Sequence, residues 1–178
     1  AVSTTSSGTS AAQATAAASS SQNQSKYEAN VASVAGKMDN RVIAAYQQLG
    51  FKIVVDPSVN YSGYFDARSR SITMKQIDDS VYHELGHFLA FIAGNVDKTA
   101  SFQSIFAAEK ASVTAFNKAY VTQNASEYFA ESVKDYILNN ASLKSTRPQT
   151  YAAVQNALNQ ITDAQIAKIQ KIYGAFWN

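Results

Sequence analysis

Hydrophobic and polar residues change their rhythm three times along this chain. From Tyr27 onward, Val31, Val34, Met38, Val42, Ile43 and Tyr46 recur at helical spacing, and Gly50 follows as a stop. The spacing predicts one long amphipathic helix, with Gly36 as its weak point. "FKIVVDP" (51–57) then reads as a short apolar strand ended by Asp56-Pro57. "YSGYFDARSRSITMKQ" (61–76) carries a turn signal at Ser62-Gly63 and a hairpin-like pair of segments, the second alternating through Ser71-Ile72-Thr73-Met74. These segments predict a small sheet of three or four strands. After Asp78 and Asp79 the pattern is helical almost to the end. Thr162 and Gln165 form a capping box for the last helix, and Gly174 is its expected stop. Helix, strands and then several helices predict an α+β domain with a helical C-terminal half.

Residues 1–25 lie outside this rhythm. They are almost entirely Ala, Ser, Thr, Gln, Asn and Gly, with nothing large and apolar to bury, so they read as a flexible tether preceding a domain over residues 26–178. The opening "AVSTTSSGTS" has neither a basic start nor an apolar run, which fits the remainder of a cleaved signal peptide.

Composition narrows the partners. A formal charge of +2 from scattered basic residues argues against nucleic acid as a partner. No run of about 18 apolar residues is present, so no membrane insertion is expected. The chain has no cysteine, which excludes thiolate ligands, thiol catalysis and disulfides; a metal site must use His, Asp and Glu. Asn-x-Ser sequons occur at Asn23, Asn60, Asn124 and Asn140, and a glycan on Asn124 would crowd the site considered next, so a helix-capping role suits it better.

Both histidines of the chain lie in "VYHELGHFLAF" (81–91). On a helix capped by Asp79 or Ser80 and ended by Gly94, Val81, Leu85, Phe88, Leu89 and Ile92 gather on one side. His83 and His87 lie about 40° apart on the other. Imidazoles one turn apart can share a metal at about 2.0–2.1 Å, with Glu84 directed at a metal-bound water. A pair of histidines on a solvated helix face would be the bland alternative, but His-Glu-x-x-His consuming every histidine favours zinc, one ion per chain. Gly86 costs about 1 kcal/mol relative to Ala inside a helix, which is explicable if something packs closely there.

A catalytic zinc needs a third protein ligand and an open position. The metzincin pattern would require Gly at position 90 and His at position 93; both are alanine. The third ligand is therefore a carboxylate, among Asp97, Glu109, Glu127, Glu131, Asp135 and Asp163. In "NASEYFAESVKDY" (124–136), Glu127 and Glu131 share the polar side of a predicted helix, one able to bind metal while the other orients a ligand. Asn124 and Glu127 also match a capping box, in which Glu127 would instead satisfy a backbone N–H.

"HELGH", a gap of about forty residues, "SEYFAES" and Tyr120 seven positions before Glu127 together resemble the catalytic domain of the anthrax lethal factor family. The resemblance covers residues 27–178, and the family's small secreted members, the Pro-Pro endopeptidases, match in size. It implies a secreted zinc endopeptidase with a minimal gluzincin-type zincin fold and a protein or peptide substrate, proline-rich if the Pro-Pro preference carries over. It further implies His83, His87 and Glu127 as ligands, Glu84 as general base, Tyr120 as oxyanion donor and Glu131 as a residue holding a ligand. A substrate strand is expected along a sheet edge formed by Ser71, Ile72, Thr73 and Met74. The family's upstream tryptophan is missing, since Trp177 is the sole one; Tyr61, Tyr64 or Phe65 are the candidate replacements, and Ser126 stands where the family has a charged residue. Two rival readings are a toxin-like protease aimed at a host protein and a non-catalytic module held by zinc.

Overall fold

The computed structural model describes residues 25–178; the tether expected over residues 1–25 falls outside the described residues except for Ser25. Strand β1 (Tyr27–Ala29) opens the fold, followed by the short helix α1 (Val31–Val34) and by α2 (Asn40–Gln48). The single long helix expected here is therefore three elements. Asn30 and Asp39 accept from the backbone N–H groups of Ser33 and Arg41, so each starts its own short helix. The helical spacing of Val31, Met38, Val42 and Tyr46 arises from two helices burying the same core.

Strands β2 (Lys52–Val55), β3 (Gly63–Asp66) and β4 (Ser71–Met74) join β1 in a mixed sheet of order β1-β2-β4-β3. β4 pairs parallel with β2 and antiparallel with β3. The alternation of Ser71-Ile72-Thr73-Met74 does bury Ile72 and Met74, but β4 is an interior strand whose backbone is paired on both sides. Ser71, Ile72, Thr73 and Met74 therefore cannot supply the free edge expected for a substrate. The sheet edge beside the helix that carries both histidines is β3. Hydrophobic alternation revealed which face of β4 is buried; it carried no information on strand order.

The helical half comprises α3 (Ser80–Ile92), α4 (Ala100–Glu109), α5 (Lys118–Val121), α6 (Ala125–Leu138), α7 (Asn140–Thr146), α8 (Pro148–Asn159) and α9 (Asp163–Trp177). The result is an α+β fold with its core between the sheet, α2 and the central helix α3, which packs most extensively against α6. Leu85, Phe88 and Leu89 are fully buried, each contributing about 1.5–3 kcal/mol. Gly94, at φ +88°, ends α3 as expected. Thr162 Oγ1 caps α9 by accepting from Gln165 N, whereas the Gln165 side chain donates to the Ile92 carbonyl and ties α9 to the end of α3. Helix α9 does not stop at Gly174 but runs to Trp177, because Trp177 packs edge-on against Phe51 and donates its indole N–H to the Ala67 carbonyl. No helix among the described residues is long and apolar enough to cross a membrane.

Candidate metal and catalytic centre

Helix α3 is buried nearly all round, so His83 and Glu84 are only 7% exposed. The face carrying the histidines is not solvated; α6 covers it. Gly86 makes this possible, since a Cβ there would stand 2.7 Å from both Cα and the carbonyl oxygen of Ala130 on α6. The mid-helix glycine is thus explained by close backbone packing, and that packing brings α6 carboxylates to α3 imidazoles.

Glu127 Oε2 lies 3.0 Å from His83 Nε2 and 3.5 Å from His87 Nε2. One ligand atom from each of these three residues falls within 4.8 Å of the others. Bonds of about 2.0–2.1 Å to a shared zinc in tetrahedral geometry separate ligand atoms by roughly 3.4 Å, so the observed spacing fits such an ion. Glu131 Oε2 sits 2.8 Å from His83 Nδ1, and accepting the Nδ1–H there leaves Nε2 as the ring nitrogen that faces Glu127. Asn124 Oδ1 accepts from Glu127 N at 2.8 Å, so Asn124 does cap α6. Only that half of the expected capping box forms: the Glu127 carboxylate turns to the imidazoles instead of back to the helix start.

The other acidic candidates have separate employment. Asp97 accepts from the Ser126 hydroxyl at 2.6 Å. Glu109 is buried and caps α8, accepting from Gln149 N and from both the N–H and hydroxyl of Thr150. Asp135 pairs with the buried Arg147, and Asp163 starts α9. Sequence spacing alone could not have excluded Asp97, Glu109 or Asp135, because each becomes occupied through a residue distant along the chain.

Charges within the centre are strongly coupled. Burial opposes a charged His83, but Glu127, Glu131 and Glu84 outweigh it and raise its pKa to about 9 in the metal-free chain. Burial likewise opposes ionised Glu127, yet both histidines hold it well below the usual carboxylate range. For Glu84 the balance reverses: burial raises its pKa, with the Glu127 charge adding to this and the histidines opposing it. A carboxylate poised upward in this way is suited to receiving a proton.

Glu84 and His83 open into a cleft of about 450 Å³. Gly63, at the start of β3, forms part of its wall; a Cβ there would lie 2.7 Å from Glu84 Cγ, so only glycine lets the strand approach so closely. Tyr120 also lines the cleft, about half exposed, with its ring 6.4 Å from that of His83. Burial, followed by the Glu127 charge, raises its phenol pKa, keeping it a proton donor. Tyr61 also lines the cleft and packs 5.9 Å from the exposed Tyr64. Phe65 instead faces the core, stacked near His87 and against Phe51. Trp177 is remote from this wall, in the aromatic cluster with Phe51 and Phe91.

The chain is 42% identical over 78 residues to a Pro-Pro endopeptidase of Clostridioides difficile (strain 630), a match covering 42% of this chain and 34% of that relative. It thus spans about a third of the relative's length. The family model described as "Anthrax toxin lethal factor, N- and C-terminal domain" matches residues 66–157, which include β4, α3, Tyr120 and the carboxylates of α6. With more than half of its residues under that model and its histidines facing Glu127 across the helix pair, the chain belongs to the anthrax toxin lethal factor family.

Proposed function

We propose that residues 26–178 form a zinc-dependent endopeptidase domain of the minimal gluzincin-type zincin class, secreted to act on extracellular or cell-surface proteins. The convergence of His83, His87 and Glu127 beside Glu84 in one cleft carries this reading. These three residues would hold one zinc ion, which when bound polarises a peptide carbonyl and acidifies water.

The chain's own groups supply the proton chemistry. Glu84 accepts a proton from the attacking water and delivers it to the leaving amine nitrogen. The Tyr120 hydroxyl donates a hydrogen bond to the oxygen that gains negative charge. Glu131 Oε2 holds His83 by Nδ1, fixing the direction of Nε2. Substrate lies extended beside the outer edge of β3, where the close approach of Gly63 to Glu84 supports cleavage next to that strand.

Cleavage beside proline is the preference suggested by the name of the Clostridioides difficile relative, and the exposed Tyr61–Tyr64 pair supplies aromatic faces for proline rings. The rival reading, zinc kept only for structure, requires a fourth protein ligand. The bond from Glu131 to His83 speaks against Glu131 in that role. Metal analysis together with hydrolysis of a proline-rich peptide library tests the proposal. The native chain should bind one zinc and cut peptides, and Glu84→Ala should bind zinc without cutting. If both forms bind zinc and neither cuts any peptide, the enzymatic reading fails; no enrichment of proline beside the cut bond removes the proline preference alone.

A further inference from the structure

One charged group in the cleft is used neither by the metal ligands nor by the proton chemistry. Lys134 follows Glu131 by three residues and Glu127 by seven, which places all three on one face of α6. It lines the same cleft as Glu84 and Tyr120, and among the described residues of that lining it is the sole lysine or arginine.

Its one close partner among the described residues is Glu131, with which it pairs by charge. Lys134 Nζ is 3.7 Å from Glu131 Oε1, beyond hydrogen-bonding distance, and the side chain is 29% exposed. Glu131 directs its other oxygen to His83. Asp78, the other carboxylate within the field of Lys134, already accepts from Ser80 N and Gln76 Nε2. Two neighbouring carboxylates thus hold the ammonium at the cleft wall while taking their own hydrogen bonds elsewhere. An ammonium has three donors to offer a ligand that enters the cleft. Nearby, Asn117 contributes a carboxamide to the same wall.

We propose that Lys134 is a specificity-determining residue that binds a carboxylate of the peptide in the cleft that Ser80 and Glu131 also line. This inference rests on the proteolytic reading above. The carboxylate is either an Asp or Glu side chain a fixed distance from the cut bond or the free C-terminus of a short peptide. Lys134 discriminates among substrates; it does not touch the reacting atoms.

The test uses zinc-loaded full-length chain and a neutral peptide that it cuts. One arm scans Asp and Lys through each position on both sides of the cut bond with the C-terminus amidated; a second arm compares free and amidated C-termini. A single position, or the free C-terminus, should raise kcat/KM about tenfold through KM, as expected for a hydrogen bond to a charged group. Lys134→Met should bring the acidic-to-neutral ratio close to one, and Lys134→Glu should invert it in favour of Lys. Binding of the same peptides to Glu84→Ala, read by fluorescence anisotropy, should show the same order without turnover. Which arm responds identifies the source of the carboxylate. The inference is overturned if the native chain shows no charge preference in either arm, or if both Lys134 variants keep it. In that case Lys134 merely balances Glu131, and its variants lower kcat on all peptides alike. Failure to cut any peptide would instead sink the proteolytic reading, and this inference with it.

Discussion

Adding one methyl group at Gly86 should damage the proposed metal centre without altering His83, His87 or Glu127 themselves. A Cβ at this position meets Ala130 Cα and O at 2.7 Å, whereas ordinary contacts begin at 3.4 Å, so α3 and α6 must separate by about 0.7 Å. Ala130 lies between Glu127 and Glu131 on α6, so the displacement reaches both carboxylates. Ligand distances in metal sites are held to about 0.2 Å, so a shift of this size should weaken zinc binding at least tenfold. Stability moves less, because overpacking costs about 1–3 kcal/mol while replacing a mid-helix glycine by alanine returns about 1 kcal/mol. Competition with a chromogenic chelator measures the affinity, and thermal melting of the metal-free protein measures the packing cost. If Gly86→Ala binds zinc within twofold of the native chain and melts no lower, close α3–α6 packing is not what sets the site.

Other expected outcomes follow from the same geometry. Glu131→Gln removes the charged acceptor for His83 Nδ1 and should weaken zinc binding by about 10–100-fold in the same chelator assay, with the fold intact by circular dichroism. Tyr120→Phe should lower kcat by about 10²–10³-fold with little change in KM, the pattern of a donor used in the transition state; an equal rise in KM would assign it to substrate binding. In the metal-free chain the His83 pKa is raised from 6.5 to about 9, so its stabilising contribution is complete below pH 6.5 and is lost as pH rises through 9. Urea unfolding should show this decline, and Glu131→Gln should reduce it. Glu109→Ala removes the buried cap of α8 and should cost about 2 kcal/mol in unfolding free energy.

The metal motif was legible because it depends on local periodicity: His83 and His87 are one helical turn apart wherever that helix sits. Spacing narrows the third ligand to Glu127 and Glu131 on one helix, and the family resemblance selects Glu127 between them; the partners that occupy Glu109 and Asp135, Thr150 and Arg147, lie far along the chain. The histidine face looked solvated on a helical wheel because a wheel shows one helix, and α6 is absent from it. Strand order was hidden for a related reason. Ser71–Met74 alternates as a half-buried strand whether it sits at an edge or between β2 and β3, and only long-range pairing decides. Residues 27–46 read as one helix because Val31, Met38, Val42 and Tyr46 bury in one core at helix-compatible intervals although a strand and two separate helices carry the segment. Gly174 signalled a helix end by propensity, and the tertiary packing of Trp177 overrode it.

Crystals of zinc-loaded protein, with anomalous diffraction recorded at the zinc edge, test the central claim most directly. One peak should lie bonded to His83 Nε2, His87 Nε2 and a Glu127 oxygen, with a fourth position open toward the cleft and Glu131 on His83 Nδ1. A peak elsewhere, or one with Glu131 closing the coordination shell, would contradict it.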